Sequence, residues 1–260
     1  MRRFIAVSLC LLAFLMPSNA ALDGGLKVEP VKQLRKGVDA WPLIVNPGNA
    51  AEQRVNATLT RLNLRLTQAL HNCDAGALES IKQTGDAAGP RDKVSEDWSR
   101  KVVVTMQGPR FLSLVATDEY VNCGGAHPDS DTMTMVFDMT TGTPVSWPAM
   151  VTKSAGAAAI LGAVSDGSKV GALVLPALAK INLAAANEDC RDAFQDPQPF
   201  QLWPDAKNGA LVAQAFDLPH VVAACAIEIP LSMAQARALG FDEGLLGAIE
   251  QAHRESGQSH

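Results

Sequence analysis

The sequence predicts an α+β protein, an antiparallel sheet with packed helices held by two disulfides. Three observations carry this. β-branched segments joined by short Gly- and Pro-containing connections cluster between Lys101 and Trp147. A long apolar stripe at helical spacing precedes them, and Ala- and Leu-rich segments follow. Strands gather with strands and helices with helices, which argues against a βαβ succession. The chain has 260 residues, 47% hydrophobic and 19% charged, enough for one or two globular domains. Its formal net charge of −5 gives no electrostatic footprint for nucleic acid.

Met1 to Ala20 reads as a secretory signal peptide: a basic start at Arg2 and Arg3, an apolar run from Phe4 to Met16, then Pro17 and small residues at Ser18 and Ala20. Cleavage is expected after Ala20, which leaves a periplasmic or secreted protein more acidic by two charges. No later segment is long and apolar enough to span a bilayer. Val170 to Ala179 contains Pro176 and lies between Lys169 and Lys180.

Residues 21–99 form an N-terminal arm and helical region, and residues 100–255 an α+β domain that forms one compact unit with them. Ala21 to Gly37 leads in as an extended arm. Trp41 to Val45 is a short apolar run ended by Asn46-Pro47-Gly48. A helix then starts, with Asn49 as its cap and Glu52 placed as in a capping box. Val55, Leu59, Leu62, Leu66 and Leu70 form one stripe on a helix of about 20 residues, with Arg54, Arg61 and Arg65 on its solvated flank. Asn56-Ala57-Thr58 matches a glycosylation sequon, and its place on a helix makes the match a chance one. Thr84 to Lys93 reads as a loop.

Strands are expected at Lys101–Met106, Phe111–Tyr120 and Thr132–Asp138, with a turn at Gly108-Pro109 and a Thr-Gly hairpin at Gly142 leading into Pro144–Trp147. Ala155–Val164 and Val170–Ala186 read as helices, and Asp196–Pro204 as a Pro- and Gln-rich loop. Strands Ala210–Phe216 and Val221–Ile229 follow, then short closing helices at Leu231–Leu239 and Glu243–His253, with Ser256–His260 frayed.

Without the leader the cysteines are Cys73, Cys123, Cys190 and Cys225. An even number in an exported chain points to two disulfides. Three pairings are open. Cys73–Cys123 with Cys190–Cys225 is preferred, because each pair lies within one half of the chain. No two cysteines have the C-x-x-C spacing of a zinc site, so no metal and no cofactor is expected.

The stretch Asp118-Glu-Tyr-Val-Asn-Cys-Gly-Gly-Ala-His127, continuing through Phe137-Asp138 to Thr141-Gly142, resembles a family of exported domains. That family includes the extracellular domain of the RsiV-type anti-sigma factor, which binds lysozyme, accessory domains of some peptidoglycan deacetylases, and many stand-alone periplasmic proteins. Asn208 to Val212 and Leu218 to Pro230 are similar to its closing strands. Together the likeness runs from about Lys101 to Leu239. Cys123 and Cys225 stand where many members have other residues. The resemblance implies an RsiV-like fold and a binding role at the cell envelope.

Gly124-Gly125 permits positive φ where one strand turns into the next, and His127-Pro128 redirects the chain. The functional expectation is that Tyr120, His127, Asp129 and Asp131 gather on one rim and contact a ligand. No G-x-S-x-G elbow and no phosphate loop are present, and Asp129-Ser130-Asp131 lacks the Gly and Glu of a calcium loop. No catalytic residue is singled out. Three functions stay open. The first is a non-enzymatic envelope protein that binds or inhibits a cell-wall hydrolase such as lysozyme. The second is a peptidoglycan- or carbohydrate-binding module that stacks sugar on Trp41, Trp98, Trp147 or Trp203. The third is an envelope hydrolase using His127 and Asp129.

Overall fold

The computed structural model describes residues 26–84, 98–120, 129–163, 169–194, 196 and 198–257. The fold is α+β, with antiparallel sheets and packed helices. Two short strands, β1 (Val28–Glu29) and β2 (Leu43–Ile44), pair in the N-terminal arm. Helix α1 (Ala50–Thr84) follows. A four-stranded antiparallel sheet comes next in the order β3 (Trp98–Gln107), β4 (Phe111–Tyr120), β5 (Asp129–Asp138), β6 (Thr143–Pro144).

The second sheet has five strands in the order β11-β10-β9-β8-β7. They are β7 (Ala158–Ala163), β8 (Lys169–Val174), β9 (Pro199–Asp205), β10 (Ala210–Ala215) and β11 (Glu228–Leu231). Helix α2 (Pro176–Ala185) joins β8 to β9 through a 3-10 segment. Helices α3 (Met233–Ala238) and α4 (Glu243–Gly257) close the chain.

Helix α1 covers one face of the first sheet. Its stripe Val55, Leu59 and Leu62 packs on Leu112, Leu114, Met133 and Phe137, and its later residues Leu66, Leu70 and Cys73 meet Val38 and Trp98. The opposite face contributes Phe111, Val115 and Val136 to a larger core with Phe200, Leu202 and Leu211 of the second sheet and Leu245, Leu246 and Ile249 of α4. The first sheet is thus the middle layer, apolar on both faces.

Two asparagines on α1 anchor the arm. Asn63 Oδ1 accepts from Trp41 N at 2.7 Å and its Nδ2 donates to Trp41 O at 3.0 Å. Asn56 holds Ile44 the same way, at 2.8 and 2.9 Å, so the side chain of the sequon is occupied by backbone. The cap forms as expected: Asn49 Oδ1 accepts from Ala51 N and Glu52 N at 2.9 and 3.0 Å, while Glu52 reaches back to Gly48 N at 2.6 Å.

Four expectations are corrected. Helix α1 has 35 residues, because the apolar stripe continues beyond Leu70 through Cys73 and Ala77, both buried. Ala155–Val164 and the start of Val170–Ala186 are not helices but the hairpin β7–β8, paired from Ala158↔Val174 to Ala163↔Lys169. Cross-strand pairing overrides the Ala and Leu helix propensity there. The helix begins only at Pro176, whose fixed φ suits the first helical position.

The expected loop Asp196–Pro204 carries β9, the central strand of the second sheet. Pro199 is tolerated as the strand's first residue, and the buried Gln201 donates to Gln214 Oε1 on β10 at 3.0 Å. Val221–Ile229 is not one strand. His220–Cys225 forms a 3-10 helix, and only Glu228–Leu231 pairs with β10.

One disulfide is described, Cys190–Cys225, with a Cα–Cα distance of 5.5 Å. It ties that 3-10 helix to the 3-10 segment Glu188–Phe194. Cys73 is disulfide-bonded too, to a partner outside the described residues, where Cys123 also lies. No described helix is long and apolar enough to cross a membrane.

Candidate functional site

The sheet register brings the candidate residues to one end of the β4–β5 pair. Tyr120, the last residue of β4, lies opposite both Trp98 and Asp129, so these three form a row across β3, β4 and β5. Two residues further in, Arg100, Asp118 and Asp131 form a second row. Asp131 is half-buried. His127, with the expected turn residues Gly124 and Gly125, lies outside the described residues. Tyr120, Asp129 and Asp131 are therefore gathered at one strand end by backbone pairing alone.

Beneath this end lies a charge cluster that the sequence reading missed. Arg100 Nη1 donates to Asp118 Oδ2 at 2.7 Å, and each side chain is only 1% exposed. The other carboxylate oxygen accepts from Trp98 Nε1 at 2.8 Å. The guanidinium lies over the Trp41 ring, 5.0 Å from its centroid. Both oxygens of Asp118 are thus engaged, so this carboxylate is held as a structural anchor and not poised as a base. Arg100 Nε, Arg100 Nη2 and Trp41 Nε1 are buried without a hydrogen-bond partner among the described residues. The available signal was parity. Trp98 and Arg100 alternate on β3 and Asp118 lies opposite Arg100 on β4, so the two charges fall on the face that α1 covers.

The Thr-Gly hairpin is a structural turn, as expected. Gly142 has φ +71°, its N–H donates to Asp138 O at 2.7 Å, and a Cβ at this position would collide with the backbone of Ala51 at the start of α1. Close by, Arg54 Nε donates to Thr141 O at 2.6 Å.

All four tryptophans, Trp41, Trp98, Trp147 and Trp203, are 5% exposed or less, so none offers an open ring face for stacking on sugar. No group of three His, Cys, Asp or Glu side chains that could hold a metal occurs among the described residues. Clefts of about 480 and 280 Å³ flank the Gly108-Pro109 turn between β3 and β4, at the opposite end of the sheet from Tyr120.

The arrangement defines an α+β domain with a buried ionic anchor under one strand end. Its fold is similar to that of a DUF3298 family member from Bacteroides fragilis known by crystal structure. The TM-score is 0.50 at 10% identity, covering 87% of this chain and 95% of that one. No family model matches the chain, and no curated protein matches it. The likeness is one of fold.

Proposed function

We propose that the chain is an exported, non-enzymatic envelope protein of RsiV-like type that binds a cell-wall hydrolase such as lysozyme. The observation that carries the reading is the fold shared over 87% of the chain with a member of DUF3298, the RsiV-like domain family. The Met1–Ala20 leader and the Cys190–Cys225 disulfide support passage through an oxidising compartment. In this reading Tyr120, His127, Asp129 and Asp131 contact the partner. A second cross-link, Cys73–Cys123, ties α1 to the β4–β5 connection and stiffens that end. The Arg100–Asp118 anchor holds the strand ends in place, which suits rigid presentation of a binding rim. The acidic balance suits a basic hydrolase by speeding encounter.

Calorimetry of the protein beginning at Ala21 with lysozyme tests this, together with the lytic rate on cell-wall suspensions. Saturable heat and slowed lysis are the expected results. No heat and an unchanged lytic rate overturn the reading. Retention on purified sacculi without lysozyme would favour a peptidoglycan-binding module instead. Turnover of peptidoglycan fragments that Asp129→Ala abolishes would establish an enzyme.

A further inference from the structure

Asn208-Gly209 is the one place in the sequence where asparagine precedes glycine. It lies in the turn between β9 and β10, directly before Ala210, which pairs with Asp205. Asn208 is exposed and Gly209 half-buried. Such a pair has an intrinsic reactivity. The backbone nitrogen of the second residue attacks the side-chain carbonyl carbon of the first, and the ring closes readily because one chain holds both groups. Glycine has no side chain to obstruct the attack.

Two neighbours hold this turn. Asn208 takes both carboxylate oxygens of Asp205: Oδ1 accepts from its backbone N at 3.2 Å and Oδ2 from its side-chain Nδ2 at 2.6 Å. The side-chain amide is thereby drawn back towards its own backbone N–H, at the start of the turn, and not towards the Gly209 nitrogen. On the other side stands His253 of α4. Its Nδ1 lies 2.8 Å from Ala206 O, and its ring carbons are 3.0 Å from where a Gly209 Cβ would stand. Gly209 has φ +60°, so backbone and space both call for glycine. Ala206 also donates its N–H to Thr105 O at 2.9 Å, which ties the turn to β3.

We propose that Asn208 is a self-modification site that deamidates through Gly209, and that Asp205 is the positioning residue that restrains it. The Gly209 nitrogen loses its proton and bonds to Asn208 Cγ. The Cγ–Nδ2 bond breaks, and Nδ2 leaves as ammonia with that proton. Water then opens the cyclic imide at either carbonyl, which leaves aspartate or isoaspartate at this position.

The product has a carboxylate where the amide was, so the 2.6 Å hydrogen bond to Asp205 becomes a contact between like charges. In the isoaspartate form the main chain gains one carbon beside Gly209, where His253 leaves little room. Both changes loosen the turn on which α4 and β3 rest.

Peptide mapping by mass spectrometry of the full chain held at mildly alkaline pH tests this, with isoaspartate counted by enzymatic carboxyl methylation. Conversion is expected at Asn208 ahead of every other asparagine. Asp205→Ala should speed it about tenfold in the folded protein, the factor set by one hydrogen bond to a charged group. Asn208→Gln, which would need a larger ring, should abolish it. Urea below the unfolding transition should leave the rate of the parent unchanged, because the turn opens locally. That arm reads the restraint without altering the protein. Equal rates in the parent and Asp205→Ala, or a faster reaction at another asparagine, would overturn the proposal. So would a rate that rises with urea as global unfolding does, since the whole fold and not Asp205 would then be the restraint.

Discussion

Arg100 and Asp118 face each other across β3 and β4 in a 2.7 Å ion pair, each side chain 1% exposed. Burying two charges costs several kcal/mol of desolvation per ion, which this pair offsets through its contact, the Trp98 N–H and the Trp41 ring. Removing one partner leaves the other charge stranded. Asp118→Ala should therefore cost about 3–5 kcal/mol in urea unfolding. Replacing both residues together, as Arg100→Met with Asp118→Leu, should recover most of that loss. A double variant no more stable than Asp118→Ala would show that the pair does not act as a unit.

Gly142 and Gly156 both have positive φ, +71° and +68°, but only Gly142 presses on another segment. Alanine at Gly156 meets open space and should cost about 1 kcal/mol for backbone strain alone. At Gly142 a methyl group collides with the Ala51 backbone, so Gly142→Ala should cost more than about 2 kcal/mol by denaturant titration. Equal losses at the two sites would mean that the α1 terminus moves aside freely.

The Cys190–Cys225 bond closes a loop with a sequence separation of 35 residues between two 3-10 segments. Cys190→Ser with Cys225→Ser should lower stability by about 4 kcal/mol, a loop-closure figure that depends on the entropy model. Scanning calorimetry of this variant against the parent, without reductant, reads the difference. An unchanged melting temperature would assign the bond no role in stability.

Asn56 and Asn63 each satisfy both polar backbone groups of one arm residue. Alanine at either position leaves a half-buried N–H and C=O unpaired, so each should cost about 1–3 kcal/mol. Both changes together should loosen residues 41–44 in hydrogen exchange while β4 stays protected. Loss of β4 protection at the same denaturant concentration would mean that arm and sheet unfold as one unit.

Much of the first sheet was legible, because Lys101–Met106 and Phe111–Tyr120 combine β-branched runs with a Gly-Pro turn. The start of α1 was legible too, since Asn49 and Glu52 cap locally. The second sheet was not. β7 and β8 mix Ala, Leu and Gly with only a few β-branched residues, Ile160, Val170 and Val174, so cross-strand pairing had to override the helix preference of the Ala and Leu, and Pro199 disguised β9. In the candidate site, the pairing of Tyr120 with Asp129 follows from the hairpin that the sequence suggests. The Arg100–Asp118 anchor was missed because its two charges lie 18 residues apart and meet only through strand register.

Hydrogen exchange with and without lysozyme tests the binding reading most directly. Slowed exchange at residues 117–120 and 129–132, with little change elsewhere, is the predicted result. Unchanged exchange throughout the chain, or protection confined to residues outside this strand end, would contradict it.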